Sequence, residues 1–157
     1  ISIKDILKGL AENTRNIIFI NSLEEADNFQ KNSDEPYIES FFQAFDNIKG
    51  LQKLSDPQIF GNRTLSDEIN FEMEDNQTQN VIRRKIDESI VSAFEVLRKR
   101  IDKFGVTQPN IQRLGSSGRI LIELPGAKDI DRIQYVLTAV GLGVAAQVLV
   151  LVTSILT

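Results

Sequence analysis

Apolar positions recur at helical spacing from the first residues of the chain. Ile3, Ile6, Leu7 and Leu10 lie three or four apart, which predicts a short helix ended by Asn13. Ile17–Ile20 is a continuous apolar run. Leu23, Ala26 and Phe29 carry it onward at three-residue steps, so a second helix is expected. Asp27–Asp34 is polar and predicts a loop. Pro36 suits the first turn of a third helix, with Ser33 or Asp34 as its cap. Ile38, Phe41, Phe42, Phe45 and Ile48 give that helix a broad apolar face, and Gly50 closes it. Asp56-Pro57 and Gly61-Asn62 are turn signals. Ile69, Phe71 and Met73 then alternate with Asn70, Glu72 and Glu74, the pattern of a short strand with one wet face.

The longest periodic segment begins after the candidate caps at Asp75–Thr78. Ile82, Ile86, Ile90, Ala93, Phe94, Leu97, Ile101 and Phe104 keep one helical face apolar, and Gly105 ends it. The opposite face carries Arg83, Arg84, Lys85, Arg98, Lys99, Arg100 and Lys103. A solvated face is the expectation for these cations, ahead of a phosphate site. Asn110–Leu114 and Arg119–Leu124 then read as two strands joined by a Gly115-Ser116-Ser117-Gly118 hairpin turn. Asp129–Val140 returns to helical spacing. Helix, hairpin, helix, flanked by strands, is the order of a ferredoxin-like split βαβ sandwich.

Charge sharpens this division. Residues 1–80 hold seven basic and fifteen acidic side chains, net −8. Residues 81–132 hold eleven basic and seven acidic, net +4. The last 25 positions, Ile133–Thr157, carry no charge at all. That run is long enough to span a membrane, for which about 20 apolar residues suffice. Gly141 and Gly143 interrupt it, however, and the β-branched stretch Val148–Val152 favours a closing strand buried on both faces. The fold class is therefore α+β. A mainly helical, acidic, Phe-rich subregion over residues 1–78 precedes a ferredoxin-like base over residues 79–157.

Candidate chemistry is sparse. The chain has no His and no Cys, so Ser-His-Asp and Cys-His nucleophiles and thiolate or imidazole metal sites are excluded. Zero Cys leaves the redox compartment open. The adjacent carboxylates Glu24-Glu25, Asp34-Glu35, Asp67-Glu68 and Asp87-Glu88 do not share a helix face and match no calcium loop. Gly115-x-x-Gly118 has the shape of an RNA-clamping loop, but that loop joins helices and this one joins strands. No basic run is interleaved with aromatics, so nucleic acid is not an expected partner. No metal, no cofactor and no catalytic residue is expected. Five of the eleven aromatic residues, Tyr37, Phe41, Phe42, Phe45 and Phe60, fall within 24 positions. They predict a small helical core, or alternatively an apolar groove for unfolded peptide with Phe41, Phe42 and Phe45 as its contact residues.

One segment resembles a known family. Ile82-Arg83-Arg84-Lys85, then Phe94-Glu95-Val96-Leu97-Arg98-Lys99-Arg100-Ile101-Asp102-Lys103-Phe104-Gly105-Val106, closely resembles SecD, including fused SecDF forms. The likeness continues through Gln108-Pro109-Asn110-Ile111-Gln112-Arg113 and Arg119-Ile120-Leu121-Ile122-Glu123-Leu124-Pro125-Gly126. It covers about 45 residues, and residues 1–80 are more weakly similar to the segment ahead of this helix in fused forms. The resemblance implies the first extracytoplasmic (periplasmic) domain of an inner-membrane subunit of the Sec translocase, anchored by segments outside this chain. It implies a non-enzymatic part in proton-motive-force-driven export, through transient binding of unfolded preprotein by a mobile head. A SecF-like partner and the Sec channel are the implied protein partners. A scaffold that docks those subunits without touching substrate is the alternative.

Overall fold

Local stop signals set the lengths of the helices. In the computed structural model, which describes residues 2–103, 108–115, 119–125 and the backbone of 148–151, α1 spans Ile3–Leu10. Asn13 ends it as predicted: its N–H bonds back to the Lys8 carbonyl at 2.8 Å, with φ +54°. Asn tolerates this left-handed conformation better than most residues. α2 spans Ile17–Gln30, and Asn16 Oδ1 caps it by accepting the Phe19 N–H at 3.1 Å.

The expected loop from Asp27 is shorter than its polarity indicates, because α2 continues through Gln30. Its last turns are held by polar contacts instead of apolar ones. Asp27 pairs with Lys4 Nζ (2.5 Å) and accepts the Tyr37 hydroxyl (2.9 Å), while Gln30 donates to Ser40 Oγ (3.0 Å). α3 spans Tyr37–Ile48. Pro36 sits at its cap position, one residue outside the first turn, and neither Ser33 nor Asp34 caps it. Ser33 Oγ accepts the Glu35 N–H in a local turn instead. Gly50, at φ +58°, closes the helix as expected.

The predicted strand over Ile69–Met73 is a turn. Asn70 overrides the alternation: its carbonyl accepts the Met73 N–H at 3.1 Å and its Oδ1 accepts the Glu72 N–H at 3.0 Å. Phe71 is left 60% exposed at the turn. This segment lies beside residues 53–55. Ser55 Oγ donates to the Met73 carbonyl and Asp75 Oδ1 accepts the Leu54 N–H. Gly61 permits the tightest approach in that region, since a Cβ there would fall 2.1 Å from the Ser55 carbonyl oxygen.

α4 runs unbroken over Asp75–Lys103. Gln77 Oε1 accepts the Glu74 N–H at its start, half of a capping box. Of its predicted stripe, Ile82, Ile86, Ile90, Leu97 and Ile101 are buried and Ala93 and Phe94 half-buried, while Phe104 lies outside the described residues. Two strands come next, β1 Asn110–Arg113 and β2 Ile120–Glu123, antiparallel with Ile111 opposite Ile122. Ile120, Ile122 and Leu124 are buried, the alternation of a half-wet sheet. β3, Val148–Leu151, pairs in parallel with β2, giving the order β1-β2-β3. A parallel partner requires a crossover of about a dozen residues or more, which residues 124–147 are long enough to supply. The expected helix Asp129–Val140, the cap at Gly105 and the turn residues Ser116–Gly118 lie outside the described residues.

The fold is α+β. Two compact units divide it within α4, residues 3–87 forming one and residues 88–157 belonging to the other. The first unit holds the aromatic core. Phe19, Phe41, Phe45 and Phe60 are fully buried. Phe19 meets Phe41 and Phe60 edge to face with centroids 5.6 and 5.8 Å apart.

Candidate functional site

The outer face of α3 carries an open groove. Helical spacing places Phe41 and Phe45 inward and Phe42 at the edge, while Glu39, Gln43 and Asn47 form a row four residues apart on the wet side. The groove, of about 610 Å³, runs along this edge. Glu35, Pro36 and Glu39 line its entry, and Phe42, Gln43, Asp46 and Asn47 continue it. Gln79, from the second turn of α4, closes the other side.

The three phenylalanines therefore occupy different positions. Phe41 and Phe45 belong to the core, and only Phe42 borders the groove, itself 3% exposed. The Arg83 guanidinium covers its ring, 4.8 Å from the centroid. That guanidinium also grips Glu39 through two bonds, Nε to Oε1 at 2.8 Å and Nη2 to Oε2 at 2.9 Å. The contact holds the Glu39 carboxyl below the usual carboxylate range and raises Arg83 in turn.

Arg83 is thus a partly exposed cation that is also paired, and its neighbours are paired at the surface as well. Arg84 and Lys85 both pair with Glu68, whose carboxyl is held low first by the Lys85 bond and then by that of Arg84. Lys49 lies between Asp46 and Asp75, 2.7 Å from each, and its ammonium is stabilised by both. Burial and then the bond to Asp27 push the Tyr37 hydroxyl far above its ordinary range, so it stays protonated. These groups are paired structurally and none is poised as an acid or base. Among the described residues no cluster of three metal-ligating side chains occurs.

The unpaired groups are the amides. Gln43, Asn47 and Gln79 make no side-chain hydrogen bond among the described residues, and the Glu35 carboxylate makes no ion pair there. Charge runs and aromatic spacing in the sequence do not single them out. Their signal is the i, i+4 row of Glu39, Gln43 and Asn47 beside the apolar stripe.

Comparison with known proteins places the chain. Residues 90–142 match the family model described as "Protein translocase subunit SecDF, P1 domain, N-terminal". The protein translocase subunit SecD of Acetobacter pasteurianus is 30% identical over 145 residues, covering 85% of this chain and 26% of that protein. The chain belongs to the SecD family. The SecD subunit of Rhodothermus marinus is 41% identical over 56 residues (36% of this chain, 9% of that protein). That of Desulfurispirillum indicum is 50% identical over 44 residues (28% and 8%). The chain thus spans between 8% and 26% of the length of these relatives. The Acetobacter likeness covers more of the chain than residues 88–157 can supply, so the SecD resemblance reaches into the helical unit. No solved structure matches. SecD is a translocase subunit and not a catalytic enzyme family. Among the described residues no helix is long and apolar enough to cross a membrane.

Proposed function

We propose that this chain is the first extracytoplasmic domain of a membrane-anchored SecD subunit, and that it assists preprotein export by transiently holding the emerging polypeptide. The observation that carries this reading is the open groove beside Phe42, in a unit that has polar side chains to spare but no catalytic group. Phe41 and Phe45 serve the same site from beneath, by seating α3 on the core so that its outer face lines the groove. Energy enters elsewhere, from the proton-motive force acting on membrane segments outside this chain. The Sec channel and a SecF-like subunit are its partners in the membrane. The order α4, then the β1–β2 hairpin, then a returning strand supports a ferredoxin-like base, while the sheet order β1-β2-β3 departs from that topology. A split βαβ unit would set a further strand between β2 and β3, which here are direct neighbours.

The competing reading is a scaffold that docks the other subunits and never touches substrate. Removing residues 1–78 from the full-length subunit separates the two. Polypeptide holding predicts slower export by a subunit that still co-purifies with the channel. Unchanged export would favour the scaffold.

A further inference from the structure

We propose that the groove recognises the backbone of an extended polypeptide and is indifferent to its side chains. This deepens the polypeptide-binding reading above and rests on it. Glu39, Gln43 and Asn47 recur every four residues along α3, about 6 Å apart at the helical rise of roughly 1.5 Å per residue. One edge of an extended chain repeats its N–H and C=O groups every two residues, at about 6.6 Å. A row of side chains on a helix thus meets successive backbone groups of a strand laid along it, with a mismatch that rotation of a side chain absorbs.

The chemistry of the row fits that ligand. A carboxamide offers two donors and an acceptor on one group, the complement of a peptide unit whichever way it runs. Gln43 and Asn47 project from one wall and Gln79 from the other, and none is engaged within the described residues. Glu39 is committed to Arg83, so it fixes the start of the row instead of adding a free charge. The exposed Glu35 carboxylate at the entry adds a strong acceptor for backbone N–H groups. The wall offers no deep apolar recess, since Phe42 is nearly buried and Phe41 and Phe45 are in the core. An apolar side chain of the ligand therefore finds no recess to select it, as a site that must accept many sequences requires.

The experiment compares three unstructured peptides binding to the whole chain by fluorescence anisotropy. One is a natural amide peptide, one has the same composition in scrambled order, and one keeps the side chains but carries esters at alternate backbone positions. Esters remove N–H donors and weaken acceptors with little change of shape. Backbone recognition predicts that the scrambled peptide binds as well as the original, while the ester form binds about tenfold more weakly. Gln43→Ala/Asn47→Ala, both exposed and so compatible with folding, should weaken the amide peptide by about tenfold and abolish its advantage over the ester. An ester form that binds as tightly as the amide overturns the proposal and leaves polypeptide holding intact. So does a double variant that keeps the discrimination. Failure of any peptide to bind would overturn both.

Discussion

Phe42 divides its ring between two roles, and its neighbours show how one turn of helix assigns them. Phe41 packs against Phe19, Phe42, Phe45 and Phe60 with no exposure. Truncating it leaves a cavity that four rings cannot fill, so Phe41→Ala should lower stability by about 3–5 kcal/mol in denaturant unfolding. Phe71, exposed on its turn, should tolerate Phe71→Ser within about 0.5 kcal/mol. The aromatic spacing in the sequence located the cluster. It did not separate core from rim, because burial at Phe42 depends on Arg83, 41 positions on, lying over its ring. Glu39 carries a pH signature. Its folded carboxyl lies below its unfolded value, so its contribution is fully present above the unfolded value and is lost as pH falls through the folded one. Stability should therefore decline below about pH 4, and Glu39→Gln should flatten that decline in acid titrations followed by circular dichroism. The effect is small because both partners are partly exposed.

At the scale of elements, the first turns of α4 are held within the helical unit by charge as well as by the buried Ile82 and Ile86. Arg83 reaches Glu39, and Arg84 and Lys85 share Glu68. Glu68→Gln should speed amide exchange in the first turns of α4 relative to the core of α3, and added salt should narrow the difference. Among the described residues, periodicity made the four α-helices legible, along with both hairpin strands and the return strand at Val148. It erred where one polar side chain outweighed a pattern. Asn70 bent an alternating stretch into a turn, and contacts to Asp27 and Gln30 prolonged α2 through polar sequence. Helical spacing also displayed the basic cluster at residues 83–85 without its carboxylate partners, since Glu39 and Glu68 are distant in sequence.

For the whole molecule, family and site fall on different parts of the chain. The SecD P1 match covers residues 90–142, from the second half of α4 through the β1–β2 hairpin and beyond. The groove lies within residues 35–79, outside the P1 family match and inside the stretch that the Acetobacter likeness covers. The motifs identify the subunit, then, and the surface proposed to meet polypeptide lies in the helical unit. The central claim is that this surface touches a chain in transit. A photo-crosslinking residue at Gln43 in the complete translocase, probed during export of a stalled preprotein, tests it most directly. The expected result is an adduct with the preprotein stronger than that from the exposed Glu24 on α2, and weakened when the chain is allowed to clear the channel. Labelling from Gln43 no stronger than from Glu24 would contradict it.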